Sequence, residues 1–110
     1  MGPMEQYGVK IEETHHIHKL DAPSGTAATL AEDMAVASDG RKVVAKEDII
    51  SYREGEVAGI HTITYDSEED TLSVTHSAKS RRGLALGAVL AAEWLVGRKG
   101  VFSMDDFLQI

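Results

Sequence analysis

The 110-residue sequence contains no cysteine, which excludes a disulfide framework, a thiolate metal site and a cysteine nucleophile. Proline is scarce, at two residues, and no low-complexity linker or internal repeat divides the chain. No apolar run approaches the ~18 residues of a membrane span, and no charged-apolar-small leader opens the sequence. It therefore reads as a soluble, unexported protein of the cytoplasm. Positive charge is in the minority, with a formal net charge of -7. That argues against nucleic acid or an anionic membrane as a partner, so any anion site must be local. Nucleotide and hydrolase signatures are missing too: there is no Gly-x-x-x-x-Gly-Lys, no Gly-x-Gly-x-x-Gly and no Gly-x-Ser-x-Gly run.

What remains is 43% hydrophobic and 26% charged, the composition of one ordinary globular domain. Met1, Gly2 and Pro3 precede a second methionine, Met4, and read as residues added ahead of the natural start, leaving 4–110 as the domain. Tyr7, Val9 and Ile11 alternate with Gly8, Lys10 and Glu12, which predicts a half-buried strand running into the histidines. Ala22 before Pro23 is pushed to extended conformations and Gly25 is permissive, so the strand breaks there. From Thr26 the apolar positions Ala27, Leu30, Ala31 and Met34 predict an amphipathic helix, stopped by Ser38, Asp39 and Gly40.

A short strand is expected over 49–54, and 60–66 and 71–76 predict an antiparallel hairpin across an acidic turn. A second helix is expected from about Gly83 to Val96. Glu93 is its only charged residue, so it must be buried on nearly every side. It is too short to span a bilayer, which points to an oligomer interface or another domain as its cover. A short closing helix follows Ser103, whose Phe107 and Leu108 need a surface to pack on.

The chemistry is concentrated in the segment ETHHIHKLDAPSGT, residues 13–26. His15, His16 and His18 have the side chain best suited to proton transfer near neutral pH. Lys19 adds a second donor and a positive charge. The following turn presents backbone N–H groups at a helix start, which favours a carboxylate or phosphate, with Gly25 allowing close approach. Simple capping by Ser24 or Thr26 is compatible with that role. Zinc binding is the competing reading: alternation in an extended strand places His16 and His18 on one side, but no further ligand is spaced to complete a structural site. Lys79, Arg81 and Arg82 sit at the start of the second helix, where cations oppose the macrodipole and an anion would offset the cost. Arg81 has the planar fork that suits a carboxylate. Two such helix starts suit a small ligand with two carboxylates.

The segment 13–27, with REGEVAGIH (53–61), THSAKSR (75–81) and GVFSM (100–104), resembles the dihydrodipicolinate reductase family over nearly the whole chain after Met4. The resemblance implies an α+β substrate-binding and oligomerisation domain: a mixed β-sheet covered by two main helices and extended by assembly into a homotetramer. It implies an NADH- or NADPH-dependent reduction of 4-hydroxy-tetrahydrodipicolinate, a cyclic dicarboxylate of lysine and diaminopimelate biosynthesis. By it, His15 is the principal proton donor or acceptor and Lys19 the second. His16, Gly25, Thr26 and Arg81 are substrate contacts. Ile17 stands where the family commonly has arginine. The family's glycine-rich dinucleotide-binding domain has no counterpart in these residues. No cofactor or metal is therefore expected on this chain, and it is expected not to turn over alone. The alternatives are a noncatalytic assembly module without substrate affinity and a histidine-cluster metal binder.

Overall fold

The computed structural model describes residues 6–110, so the expected added start at 1–3 lies outside the described residues. The chain divides into two compact units, one ending at Lys79 and one beginning at Ser80. The first holds strand β1 (Gly8–His15), helix α1 (Gly25–Ala37), strand β2 (Ile50–Arg53) and the hairpin β3 (Gly59–Asp66) and β4 (Thr71–Ala78). The four strands form one sheet in the order β2-β1-β3-β4. β1 pairs with β2 in parallel and with β3 antiparallel, and β3 pairs antiparallel with β4. The parallel pair needs a crossover between its strands, and α1 supplies it. This is the mixed sheet and α+β class expected.

The alternation of β1 sets the core. Ile11 is fully buried and Val9 partly so, and β1 register places Ile63 and Tyr65 of β3 beside them. Ala27, Ala31 and Met34 of α1, with Ile49, complete the cluster. Two alanines on the buried stripe let the helix lie close to the sheet. Ser24 caps α1, its hydroxyl accepting from the Ala27 N–H at 3.2 Å. At the other end the Gly40 N–H reaches the Ala35 carbonyl at 2.8 Å, with Gly40 at φ +78°, a closure that glycine makes without steric cost.

One expectation needed correction. The extended strand ends at His15, and residues 17–18 form a turn held by the Lys19 N–H to the His16 carbonyl at 3.2 Å. His16 and His18 are therefore not alternate members of one strand, although their rings lie 5.8 Å apart. A 3-10 turn at Lys46–Asp48 escaped notice because three residues are too few to leave a period.

The second unit holds α2 (Arg82–Leu95) and α3 (Met104–Leu108). Ser103 and Asp106 form a reciprocal capping box at the start of α3. Phe107 finds its surface on Trp94, with ring centroids 5.7 Å apart, and Phe102 meets the same indole at 5.3 Å. The Arg98 guanidinium lies 4.1 Å over that ring. α2 has no buried residue: Leu84, Leu86, Val89 and Leu90 are 45–75% exposed. Among the described residues no helix is long and apolar enough to cross a membrane.

Candidate active site

The face of β1 that carries Ile11 in the core carries Glu13 and His15 two and four residues on, because strand side chains alternate. Glu13 is 1% exposed. A carboxylate so placed is costly unless its oxygens are filled. Both are: Arg53 Nη1 donates to Oε1 at 2.7 Å, and His15 Nδ1 is hydrogen-bonded to Oε2. Burial pushes the Glu13 carboxyl up, but hydrogen bonds from Arg53, Ser51 and His15 and the Arg53 charge together outweigh it and hold the group below its ordinary value. Glu13 is thus an anion at neutral pH. An anionic carboxylate only accepts, so the hydrogen of this bond sits on Nδ1 of His15.

Across the sheet, Glu13 faces His61 of β3. The His61 ring stands edge-on to His15 at 5.2 Å between centroids, and its Nε2 lies 3.1 Å from Ser24 Oγ. Burial, and then electrostatic interaction with the neighbouring His15 ring, push the His61 imidazole below the usual histidine range. Gly59 lies under His15: a Cβ there would meet His15 Nε2 at 3.2 Å. The chain runs on through Lys19, whose Nζ pairs with Asp21 at 3.2 Å and holds that carboxyl below its usual range. Arg53 Nε donates to the Lys19 carbonyl at 3.2 Å, and Nη2 to that of Asp21.

The first unit therefore brings together most of the residues singled out from sequence. His15 and Lys19 are linked through Glu13 and Arg53. His16 follows directly on β1, half-buried. Gly25 and Thr26 are the exposed first residues of α1, with open space around Gly25, and Ser24 just before them joins His61. Arg81 belongs to the second unit, where it is the N-cap residue of α2.

The metal-ligating types that converge are Glu13, His15 and His61, with ligand atoms within 4.8 Å of one another, rather than His16 and His18. Since Arg53 and His15 already occupy both oxygens of Glu13, a cation there competes with a guanidinium and a proton. A groove of about 470 Å³ lies at the other end of the sheet, lined by Tyr7, Tyr65, Asp70, Thr71 and Leu72. With no basic group among the described residues of its lining, it does not suit a dianion.

Comparison with known proteins identifies the family. A family model described as dihydrodipicolinate reductase, C-terminus, matches residues 2–108. The chain belongs to that family. A curated 4-hydroxy-tetrahydrodipicolinate reductase from Christiangramia forsetii is 49% identical over 98% of this chain and 48% of its own length. One from Akkermansia muciniphila is 41% identical over 91% of this chain and 47% of its own length. The chain thus spans about half the length of the curated relatives it matches. A solved dihydrodipicolinate reductase from Paenisporosarcina sp. TG-14, with dipicolinate bound, superposes with a TM-score of 0.61 at 26% identity, over 74% of this chain and 37% of that one.

Sequence reasoning picked out His15, Lys19 and the helix start but gave no role to Glu13, Arg53, His61 or Ser24 as a set. The parity of β1 was the usable signal for Glu13. A carboxylate in phase with Ile11 points inward and must have a cationic partner. No such signal existed for Arg53 or His61, which reach the site through strand pairing.

Proposed function

We propose that these residues form the substrate-binding and tetramerisation part of an NADH- or NADPH-dependent 4-hydroxy-tetrahydrodipicolinate reductase of lysine and diaminopimelate biosynthesis, acting in the cytoplasm. The observation that carries the reading is the Arg53–Glu13–His15 array, built on the buried Glu13 carboxylate, beside the start of α1. It keeps His15 Nδ1 protonated and leaves Nε2 to hold and deliver a proton. Lys19 is the second proton donor. Gly25 and Thr26 hold one carboxylate through main-chain N–H groups and the threonine hydroxyl, and the helix dipole adds to the attraction. His16 and Arg81 are further substrate contacts.

The nicotinamide cofactor supplies the hydride when bound. The described residues do not fit it: the one strand-to-helix turn of the first unit has a single glycine at the helix start, Gly25, where a dinucleotide needs a glycine-rich turn. The site of the hydride-donating cofactor is therefore assigned to residues outside these 110. The exposed apolar face of α2 supports assembly, since exposed leucines at this density call for a cover.

Calorimetry of the 110-residue chain with pyridine-2,6-dicarboxylate, together with light scattering, tests the reading. Binding is expected, weakened about tenfold or more by Lys19→Ala, the scale of one charged hydrogen bond of roughly 1.5–3 kcal/mol. A weaker loss is expected for Arg81→Ala, and a tetramer in solution. A tetramer without binding would establish the assembly-module alternative instead. Nicotinamide-dependent turnover by this chain alone would refute the assignment of the hydride donor elsewhere.

A further inference from the structure

The geometry points to Arg53 as the positioning residue that sets both proton donors at once, with Glu13 as its relay to His15; the inference rests on the function proposed above. Arg53 is the last residue of β2, paired in register with His15. Its guanidinium, a planar fork of fixed donors, is spent in two directions. Toward the sheet, Nη1 holds Glu13 Oε1 at 2.7 Å and the Tyr52 carbonyl at 2.8 Å. Toward the loop, Nε holds the Lys19 carbonyl at 3.2 Å and Nη2 the carbonyl of Asp21.

Apart from the Lys19–Asp21 ion pair within it, the loop has little apolar packing to fix it. Leu20, between the two bonded carbonyls, is 96% exposed, and Asp21 and Ala22 are exposed beside it. A segment without apolar packing owes its order to its polar contacts. The Lys19 and Asp21 main chain is held by the Lys19 N–H to the His16 carbonyl at 3.2 Å and by the two bonds from Arg53. One rigid group thus fixes the ring orientation and tautomer of His15 through Glu13, and the backbone from which Lys19 projects. The distance between the two donors is set by a residue that need not touch the substrate.

Lysine at position 53 can keep the charge beside Glu13 but lacks the fork that also reaches two loop carbonyls. Glutamine at position 13 can accept a hydrogen bond at only one of its two ends, so it cannot satisfy Arg53 and His15 Nδ1 together. The two substitutions therefore separate the two arms.

Long-range proton–nitrogen NMR of the 15N-labelled chain reads the tautomer of His15, and backbone relaxation reads the order of residues 19–21. In wild type, neutral His15 is expected to carry its hydrogen on Nδ1, with the loop backbone rigid, at an order parameter near 0.85. Arg53→Lys is expected to keep that tautomer while the loop order parameter falls below about 0.6. Pyridine-2,6-dicarboxylate affinity then drops about tenfold. Glu13→Gln is expected to mix the tautomers and leave the loop rigid. A residue that merely supported the fold would lower the unfolding midpoint without this split.

A wild-type His15 with its hydrogen on Nε2 overturns the inference without any variant, even if both substitutions prevent folding. So does a folded Arg53→Lys chain with a rigid loop and unchanged affinity. If the wild type binds no dicarboxylate, the functional reading falls, while tautomer and loop order still decide the role of Arg53.

Discussion

Replacing Ser24 with alanine deletes one oxygen that serves two elements. The side chain is 2% exposed. Its Oγ accepts the Ala27 N–H at 3.2 Å, capping α1, and lies 3.1 Å from His61 Nε2 on β3. Loss of a serine N-cap costs about 1 kcal/mol. Loss of a hydrogen bond that leaves a partly buried ring nitrogen unsatisfied costs about 1 kcal/mol more. The sum, about 2 kcal/mol, corresponds to a fall of roughly 8–16 °C in Tm for a domain of this size. Urea unfolding at fixed protein concentration measures it, the concentration being held because association adds stability. The midpoint should fall with the slope unchanged. Ser24→Asp is the control: aspartate caps helices as well as serine and offers His61 a charged acceptor, so most of the stability should return. A Ser24→Ala loss under about 0.5 kcal/mol, or a Ser24→Asp variant as unstable as alanine, would refute the account of this hydroxyl as a shared anchor.

Stability should fall in acid in two stages. His61, held below its ordinary 6.5, binds fewer protons folded than unfolded, so stability declines as pH drops from about 6.5 through its folded value. Glu13, held below its ordinary 4.5, contributes stability above that pH that is lost as pH falls further. Urea midpoints from pH 8 to pH 3 check this: His61→Gln should remove the first stage and Glu13→Gln the second, and a flat profile would contradict both. Gly59→Ala places a Cβ 3.2 Å from His15 Nε2 at a backbone φ of +156°. The ring must shift, and the expected result is roughly tenfold weaker pyridine-2,6-dicarboxylate binding by calorimetry, the scale of one lost 1.4 kcal/mol contact.

The legible part of this fold was whatever announces itself by local period or local chemistry. Val9 and Ile11 gave β1, Ala27, Ala31 and Met34 gave α1, and Ser103 gave the cap of α3. The hairpin of β3 and β4 followed from its β-branched runs. Of the site, the segment 13–26 was readable because donors, lysine and helix start are contiguous. The rest was hidden by distance along the chain. Arg53 meets Glu13 through a parallel pairing that crosses α1, and His61 meets Glu13 through an antiparallel one. Neither register is encoded near the residues it joins. The turn at 17–18 was misjudged as extended because the histidines mimic an alternating pattern while their backbone has already left the sheet.

The alternation that carries Ile11 inward also carries Glu13 and His15 inward, so core and chemistry share a single reading frame. One residue inserted between Ile11 and Glu13 would turn the carboxylate and the imidazole to the opposite face while leaving the apolar cluster in place. One inserted ahead of Val9 would shift the whole strand in chain position yet keep its inner row intact. The strand thus tolerates changes of length only outside 9–15, and any drift in its pairing with β3 is penalised twice, once by exposing Ile11 and once by stranding Arg53 without its carboxylate.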